Sequence, residues 1–476
     1  MKKGSIIQGT VEYTGFPNKG ILHADGEKVT VKGCIPGQKI EARIIRAREG
    51  RAEGTLLSVL EPSPLENAVP ECPHFGPCGG CSLSTLPYEE QRKLKEGQVR
   101  RLLEPYLTPE TEWLPGNPSP KPLRYRNKME FSFGDEYKDG PLSLGLHRKG
   151  SFYDIVETSG CRLMHEDLAA VYRVVFDWAK EYRLDFFHRM TGEGYLRHLL
   201  LRRAEHTGEI LIDLITTSKE EPVLARLTER LLSLEQGGEL SGSIVGILHT
   251  VNDREGDAIV NQGTEVLHGR DYLYEELLGL RFRVSIFSFF QTNSLGAEAL
   301  YESVRNMVSG KHGVLFDLYS GTGTIGQLLA PVCDRVIGVE LIPEAVAAAR
   351  VNAELNGLTN CTFLAGDVLK MLDEIPEKPD YIILDPPREG VVPKALRKIL
   401  AYGVDSIIYI SCKPTSLARD IPEFLAAGYT LKKVQCTDMF PQGPNVETVV
   451  LLSREKVDGH IDIDPDVKKL YQKGKN

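Results

Sequence analysis

The tract Gly313-Val-Leu-Phe-Asp317-Leu-Tyr319-Ser320-Gly321-Thr322-Gly323-Thr324-Ile325-Gly326, followed by Arg335-Val-Ile-Gly-Val-Glu340, leaves few folds open to this chain. An apolar run, a glycine turn, a helical stretch and a second apolar run ending in a carboxylate make one nucleotide-binding half of a Rossmann-like sheet. Gly321, Gly323 and Gly326 satisfy G-x-G-x-x-G, which alone is a weak signal. The pattern then repeats. Residues 345–355 read as a helix, Cys361-Thr-Phe-Leu-Ala-Gly-Asp367 as a strand ending in an acid, and Tyr381-Ile-Ile-Leu-Asp385-Pro386-Pro387-Arg388 as another. Ser406-Ile-Ile-Tyr-Ile410 stops at Ser411-Cys412, with Pro414 two residues on. In open α/β sheets such strand ends are where ligands sit.

The acids carry chemical information. Glu340 lies where a carboxylate can accept hydrogen bonds from a ribose hydroxyl pair, which NAD and S-adenosylmethionine both possess. Asp317, just before the glycine turn, favours the methyl donor: it would repel a pyrophosphate but attract a sulfonium and an amino group. Asp367 can hydrogen-bond an adenine amino group. In Asp385-Pro-Pro two prolines fix the backbone after the strand and hold the carboxylate in one direction, and a plain structural turn is the alternative. Cys412 is a candidate nucleophile, or a small packing residue. Glu447, in Asn445-Val-Glu447-Thr-Val-Val-Leu-Leu452, sits at the mouth of a final strand.

Nine cysteines, an odd number with no secretory signal, argue against a disulfide framework. Metal binding explains their clustering better. Cys72-Pro-His-Phe-Gly-Pro-Cys78-Gly-Gly-Cys81 packs three thiolates into a glycine- and proline-rich loop able to curl around a metal. A fourth ligand is either Cys161 or His74. Three clustered cysteines plus a remote one favour an iron–sulfur cluster over zinc. Cys34, Cys333, Cys361 and Cys436 read as packing thiols.

The chain of 476 residues, 41% hydrophobic, is long enough for two or three domains. The net charge of −9 argues against a uniformly basic surface, but residues 1–60 carry +4 of it. That segment holds short β-branched runs broken by Gly, Pro, Asn and Asp, which suits a small β-barrel whose lysines and arginines face a nucleic-acid backbone or merely solvent. Residues 87–107 read as an amphipathic helix opening with Pro87, Glu89 and Glu90, and residues 295–308 as another helix. In Lys121-Pro-Leu-Arg124-Tyr125-Arg126-Asn127-Lys128 the cations suit phosphates and Tyr125 a stacked base, unless this is only a charged loop. Arg197, Arg202 and Arg203 line an RNA groove or face solvent. No apolar run approaches the roughly 18 residues of a membrane span, so a cytoplasmic location is expected.

Taken together these residues resemble the RNA uracil-5 methyltransferase family, specifically the branch acting on 23S ribosomal RNA. The resemblance covers nearly the whole chain. It implies a multidomain architecture: a TRAM-like, OB-like RNA-binding barrel (1–61), an α+β central iron–sulfur and RNA-binding domain (62–280) whose helix near 87–107 packs on the catalytic part, a Rossmann-like α/β methyltransferase domain (281–454) and a hydrophilic tail (455–476). It assigns Cys72, Cys78, Cys81 and Cys161 to a [4Fe-4S] cluster. Gln291, Tyr319, Glu340, Asp367 and Asp385 match contacts to S-adenosylmethionine, Cys412 the nucleophile and Glu447 the base. Lys413 stands where the family more often has Asn, and Asn445 where many relatives have His.

The implied chemistry needs both a thiol and a carboxylate. Carbon 5 of uracil is a poor nucleophile until a Cys412 thiolate, favoured by Lys413 or Arg419, adds to carbon 6. Glu447 would then remove the carbon-5 proton, Asp385 would help position the base, and elimination would release Cys412. The target uridine is expected to be flipped out of its stack. The expected partner is 23S ribosomal RNA, before or during subunit assembly, with the protein a monomer. The same chemistry on transfer RNA is one rival. An NAD-dependent iron–sulfur oxidoreductase is the other, and it leaves Cys412, Asp385 and Glu447 idle.

Overall fold

The computed structural model describes residues 1–219, 224–308 and 312–454, so the hydrophilic tail 455–476 lies outside the described residues. Its organising element is an eight-stranded sheet. In spatial order the strands are Cys361–Ala365, Cys333–Glu340, His312–Leu318, Tyr381–Leu384, Ser406–Ser411, Glu447–Arg454, Tyr429–Thr437 and Glu112–Trp113. The first five run parallel, whereas Glu447–Arg454 is antiparallel to both of its neighbours. Leu315, Phe316, Leu318, Val336, Ile337, Val339, Ile382, Ile383 and Leu384 are all buried, as strands covered on both faces require.

Strand order reverses between His312–Leu318 and Tyr381–Leu384, which opens a crevice above their C-terminal ends. The turn leaving the first of these strands is tightly determined. Tyr319, Gly321 and Gly323 all have positive φ, and a Cβ on Gly323 would lie 2.5 Å from Phe363 and 2.9 Å from Ala349.

A second, seven-stranded sheet runs Ile155–Glu157, Leu142–His147, Lys128–Asp135, Leu196–Arg203, Glu209–Thr216, Ser243–Val251 and Thr264–Gly269. It shares a core with the first sheet: Leu200, Leu211 and Ile215 pack in one cluster with Leu315, Ile410 and Val449. Residues 6–61 form a six-stranded sheet ordered Ile6–Thr10, Lys39–Arg48, Arg51–Glu61, Glu27–Lys32, Lys19–Ala24, Tyr13–Gly15 around Val11, Leu22, Val29, Val31 and Ile40. Cys34 is buried in this core, and burial pushes its thiol up to about 12.

The expected helix at 87–107 is Tyr88–Leu103 plus a 3-10 turn at Glu104–Tyr106, and the one at 295–308 is Ser294–Met307, capped by the Asn293 side chain. Tyr88–Leu103 ties the sheets together. Val99 and Leu103 join Phe16 in the main core, and Gln98 Nε2 donates to Thr14 Oγ1 at 2.9 Å. On its other side the fully buried Lys95 donates to Asp438 Oδ1 at 2.7 Å and to the Phe440 carbonyl at 2.9 Å. Burial lowers the Lys95 pKa and Asp438 opposes that shift.

Breaking a buried pair from one side strands the other charge. Lys95→Met is therefore expected to cost about 3–5 kcal/mol in urea unfolding. Lys95→Met with Asp438→Asn should recover a large part of that loss.

Candidate active site at the strand ends of the C-terminal sheet

The glycine turn is braced by two acids. Asp317 is fully buried; its Oδ2 accepts the Gly326 N–H at 2.9 Å, while Oδ1 has no hydrogen-bond partner. Burial, opposed by that bond and reinforced by Glu340, pushes Asp317 up to about 7. Glu340 accepts from the Gly321 N–H through Oε2 and the Ile342 N–H through Oε1, each at 2.9 Å. Ser320 Oγ is buried without a partner, and nothing lies within 4 Å of where a Gly321 Cβ would point. Exposed Asp367 acts electrostatically on Tyr319 across the crevice. Orphaned acceptors beside an open turn form a cradle for a polar ligand.

A thiol and two carboxyls gather on the other side of the strand reversal. Ser411 pairs with Thr448, so Cys412 at the end of one strand meets Glu447 at the beginning of its antiparallel neighbour. Burial, then Glu447 and Asp385, push the Cys412 thiol up to about 11, and Arg388 opposes them. Glu447 is buried and is raised to about 8 by burial and Asp385, again opposed by Arg388. Asp385 is raised to about 7 by burial and Asp317, although part of its surface still faces the cleft. Gln291 reaches this group by hydrogen-bonding the buried Tyr301, which senses Asp385 and Glu447.

The cationic partner of Cys412 is Arg388, not the Lys413 or Arg419 expected from sequence. Arg419 is committed to Asp420 Oδ1 at 2.7 Å and to the Glu389 carbonyl at 2.5 Å. Those bonds help pin the loop that carries Arg388. Ser416 Oγ donates to the Arg388 carbonyl at 2.6 Å, and Asp420 Oδ2 accepts the Val391 N–H at 2.9 Å.

Glu447 is approached by a strap, residues 438–446, that is held from several directions. The Gln442 carbonyl accepts N–H groups of Ser82 at 2.9 Å and Leu83 at 3.0 Å, and the Gln442 N–H donates to Gln91 Oε1 at 2.9 Å. Asn293 Nδ2 donates to the Met439 carbonyl at 3.1 Å. The strap thereby touches the cysteine loop one residue beyond Cys81.

Cys72, Cys78, Cys81 and Cys161 line one small cavity together with His74. Burial pushes Cys81 up to about 12, reinforced by Cys161, Cys72 and Cys78. His74 Nε2 is engaged by the Gly160 N–H at 3.1 Å. Among the described residues no three His, Cys, Asp or Glu side chains converge at the spacing of a single ion.

Tyr125, read as a base-stacking ring or part of a charged loop, and Arg197, Arg202 and Arg203, read as lining an RNA groove or facing solvent, are used inside the protein instead. Tyr125 is buried and donates to the Pro441 carbonyl at 3.1 Å, so its ring cannot stack on a base. Buried Arg197 donates to the carbonyls of Asn252 at 2.8 Å and Arg254 at 2.7 Å, and buried Arg202 to that of Ile286 at 2.9 Å. Arg203 pairs with Asp167 at 2.7 Å. Each spends its donors inside the protein, on loop carbonyls or, for Arg203, on Asp167, which also accepts from Ser241 and Gly242.

Comparison with known proteins adds a family. The model of the tRNA (uracil-5-)-methyltransferase family matches residues 259–455. An uncharacterized RNA methyltransferase of Caldanaerobacter subterraneus subsp. tengcongensis is 47% identical over 95% of this chain and 100% of its own length. One from Clostridium tetani is 44% identical over 96% and 99%. The chain belongs to the tRNA (uracil-5-)-methyltransferase family. Among solved structures, that of Pyrococcus abyssi tRNA (uracil-54, C5)-methyltransferase in complex with S-adenosyl-L-homocysteine superposes with a TM-score of 0.72 at 24% identity, covering 94% of this chain and 100% of that one. It shows the same fold.

In this RNA methyltransferase, sequence reasoning missed Arg388, Tyr301 and Gln442. Arg388 follows Asp385-Pro-Pro directly and was legible as a neighbour of the site, whereas the other two become visible only in the packed structure. Because Arg388 lowers both Cys412 and Glu447, Arg388→Gln should raise both pKa values. The alkaline rise of kcat/KM for methyl transfer is therefore expected to move to higher pH, a shift read from a pH–rate profile. An unmoved profile would remove Arg388 from the site's electrostatics.

Proposed function

We propose that this protein methylates carbon 5 of a uridine in 23S ribosomal RNA, using S-adenosylmethionine and a covalent adduct of Cys412. One observation carries the reading: Cys412 and Glu447 meet across adjacent antiparallel strand ends, with Asp385 and Arg388 acting on both. Cys412, as thiolate, adds to carbon 6 of the uracil, and the displaced electron pair makes carbon 5 the nucleophile. Arg388 offsets the repulsion that Glu447 and Asp385 exert on the thiolate. Bound S-adenosylmethionine supplies the methyl group as an electrophilic sulfonium. Glu447 then takes the proton from carbon 5, and elimination reforms the 5,6 double bond and returns the Cys412 sulfur. Phe289, 72% exposed and two residues from Gln291, offers a ring for the flipped uracil to stack on.

The cradle suits the methyl donor. Asp317 Oδ1 and Ser320 Oγ are acceptors without partners; in this reading Glu340 would accept from a ribose diol, and Tyr319, Asp367, Gln291 and Asp385 would complete the wall. The four cysteines suit a [4Fe-4S] cluster in the central domain. A cluster several ångströms across holds its thiolates farther apart than a single zinc ion, with Zn–S bonds of about 2.3 Å, so four thiols ringing a cavity fit it better. Methyl transfer consumes no electrons, which gives the cluster a structural role beside the Gln442 strap. The proposed divisions are an RNA-binding TRAM-like barrel (1–61), the central domain (62–280) and the catalytic domain (281–454) of a cytoplasmic monomer.

Transfer RNA is the second reading, favoured by one finding. The Pyrococcus abyssi neighbour is a transfer-RNA enzyme by its description, yet it aligns over 94% of this chain. Possession of the N-terminal sheet and central region therefore does not separate the two substrates. Methylation of 23S transcripts and of transfer-RNA transcripts by the purified protein, with 5-methyluridine mapped by mass spectrometry, decides between them. Methylation of transfer RNA alone would overturn the ribosomal reading.

Cys412→Ala should reduce methyl transfer below detection and leave S-adenosylmethionine binding within about twofold of wild type, by calorimetry; retained turnover would remove the adduct mechanism. Glu447→Gln should trap protein on RNA as a band stable in denaturing gels. Anaerobically purified protein is expected to contain about four irons, and stoichiometric zinc without iron would reverse the cluster assignment.

A further inference from the structure

Two cavities flank a single ridge beside the cysteine loop. The ridge is a pair of short segments joined by hydrogen bonds from the Arg124 N–H to the Arg162 carbonyl at 2.8 Å and from the Arg126 N–H to the Leu163 carbonyl at 3.0 Å. Arg124 has a positive φ of 56°, which turns the chain sharply at this point. On one side lies a cavity of about 170 Å³ walled by Val69, Leu86, Pro122, Leu123 and Leu163, with Glu71, Gln442 and two of the loop cysteines, Cys72 and Cys81, also on its lining. A cavity of about 150 Å³ holds one benzene-sized ring, so this one has room for one planar ring system. Its walls are largely apolar; Tyr88 accepts from the Ser119 N–H and Gln91 is bonded to Leu86 and Gln442, which leaves Arg162 as the one cation on its lining. Val69 stands at 88% exposure.

On the other side lies a cavity of about 300 Å³ lined by Arg124, Arg162 and Arg173, with Glu166 the one acid. Glu166 is taken by Arg124 in an ion pair. The side chains of Arg162 and Arg173 have no partner among the described residues, and both are exposed. Arg162 lines both cavities. A ring-sized apolar slot and a guanidinium pair, sharing one arginine, match the two halves of a nucleotide.

We propose that these cavities form a second nucleotide-binding subsite, taking one unpaired nucleotide of the RNA substrate with its base in the Val69–Leu123 slot and its phosphate on Arg162 and Arg173. The proposal rests on the reading of the protein as an RNA uracil methyltransferase and is indifferent to which RNA it modifies. The subsite is connected to the catalytic centre along the chain through Gln442, which lines the slot and stands five residues before Glu447, at most about 18 Å along an extended chain. A nucleotide seated here would bear on the strap that carries the base, so the subsite both adds affinity and sets register.

The test uses the full-length protein and whichever transcript, 23S or transfer RNA, the wild type methylates. Arg162→Ala with Arg173→Ala is expected to weaken RNA binding several-fold at about 0.15 M salt. The slope of log Kd against log salt should fall by about one, the signature of one lost phosphate contact. Single-turnover methylation at saturating RNA should stay within about twofold, and iron content and Tm should match wild type. In a separate variant, Val69→Trp, the added indole should be quenched on RNA binding, and one abasic position near the target, but not the others, should abolish the quench. Wild-type affinity and salt slope in the double variant, or a quench unaffected at every abasic position, would overturn the subsite. Failure of the underlying reading looks different: the wild type itself would leave every transcript unmethylated.

Discussion

One reversal of strand direction makes this site possible. In a wholly parallel sheet only C-terminal strand ends reach the ligand crevice, so one strand contributes its last residues and the loop beyond. Here Glu447–Arg454 is inserted antiparallel beside Ser406–Ser411, and its first residue stands at the same edge as its neighbour's last. A thiol and a carboxylate more than thirty residues apart in sequence are thereby fixed side by side on backbone that the sheet itself holds. The remainder of the architecture protects that register. The Tyr88–Leu103 helix and the segment through Asn117 anchor the strap that enters the antiparallel strand.

The price of this arrangement is concentrated charge in a region with little water. Asp317, Asp385 and Glu447 are raised to about 7, 7 and 8, with burial the leading cause for all three. The like-charged neighbours add to the effect. A single cation, Arg388, acts against it at both Cys412 and Glu447, and its loop is pinned by Ser416, Arg419 and Asp420. Burial thus shifts all three carboxyls toward their protonated forms. A cationic ligand beside Asp317 and Asp385 would draw both toward their ionised forms, which couples ligand binding to the charge state of the centre.

The cysteine loop belongs to the same mechanical system. Ser82 and Leu83 donate to Gln442, whose positive φ of 68° lets its carbonyl face them, and Tyr125 holds the next carbonyl back along the strap. An ordered cysteine loop therefore supports the approach to Glu447 without supplying any electron. That relation gives the loop a mechanical role beside the site.

By itself the sequence determined the catalytic sheet: alternating apolar runs, the glycine turn and the acids at strand ends have local signatures, because strand, turn and helix preferences are set within a few residues. The strand-end placement of Cys412, Asp385 and Glu447 was also legible, since each terminates or begins an apolar run. Tertiary structure alone decided which cation faces the thiol, because Lys413 and Arg419 lie nearer to Cys412 along the chain than Arg388, and only the pinned loop brings Arg388 up to it. It also decided the fate of Tyr125, Arg197 and Arg202. Basic and aromatic residues in an RNA enzyme look like ligand contacts when read along the chain. Here they are consumed by buried carbonyls, a demand that long-range packing creates and that no local pattern reports.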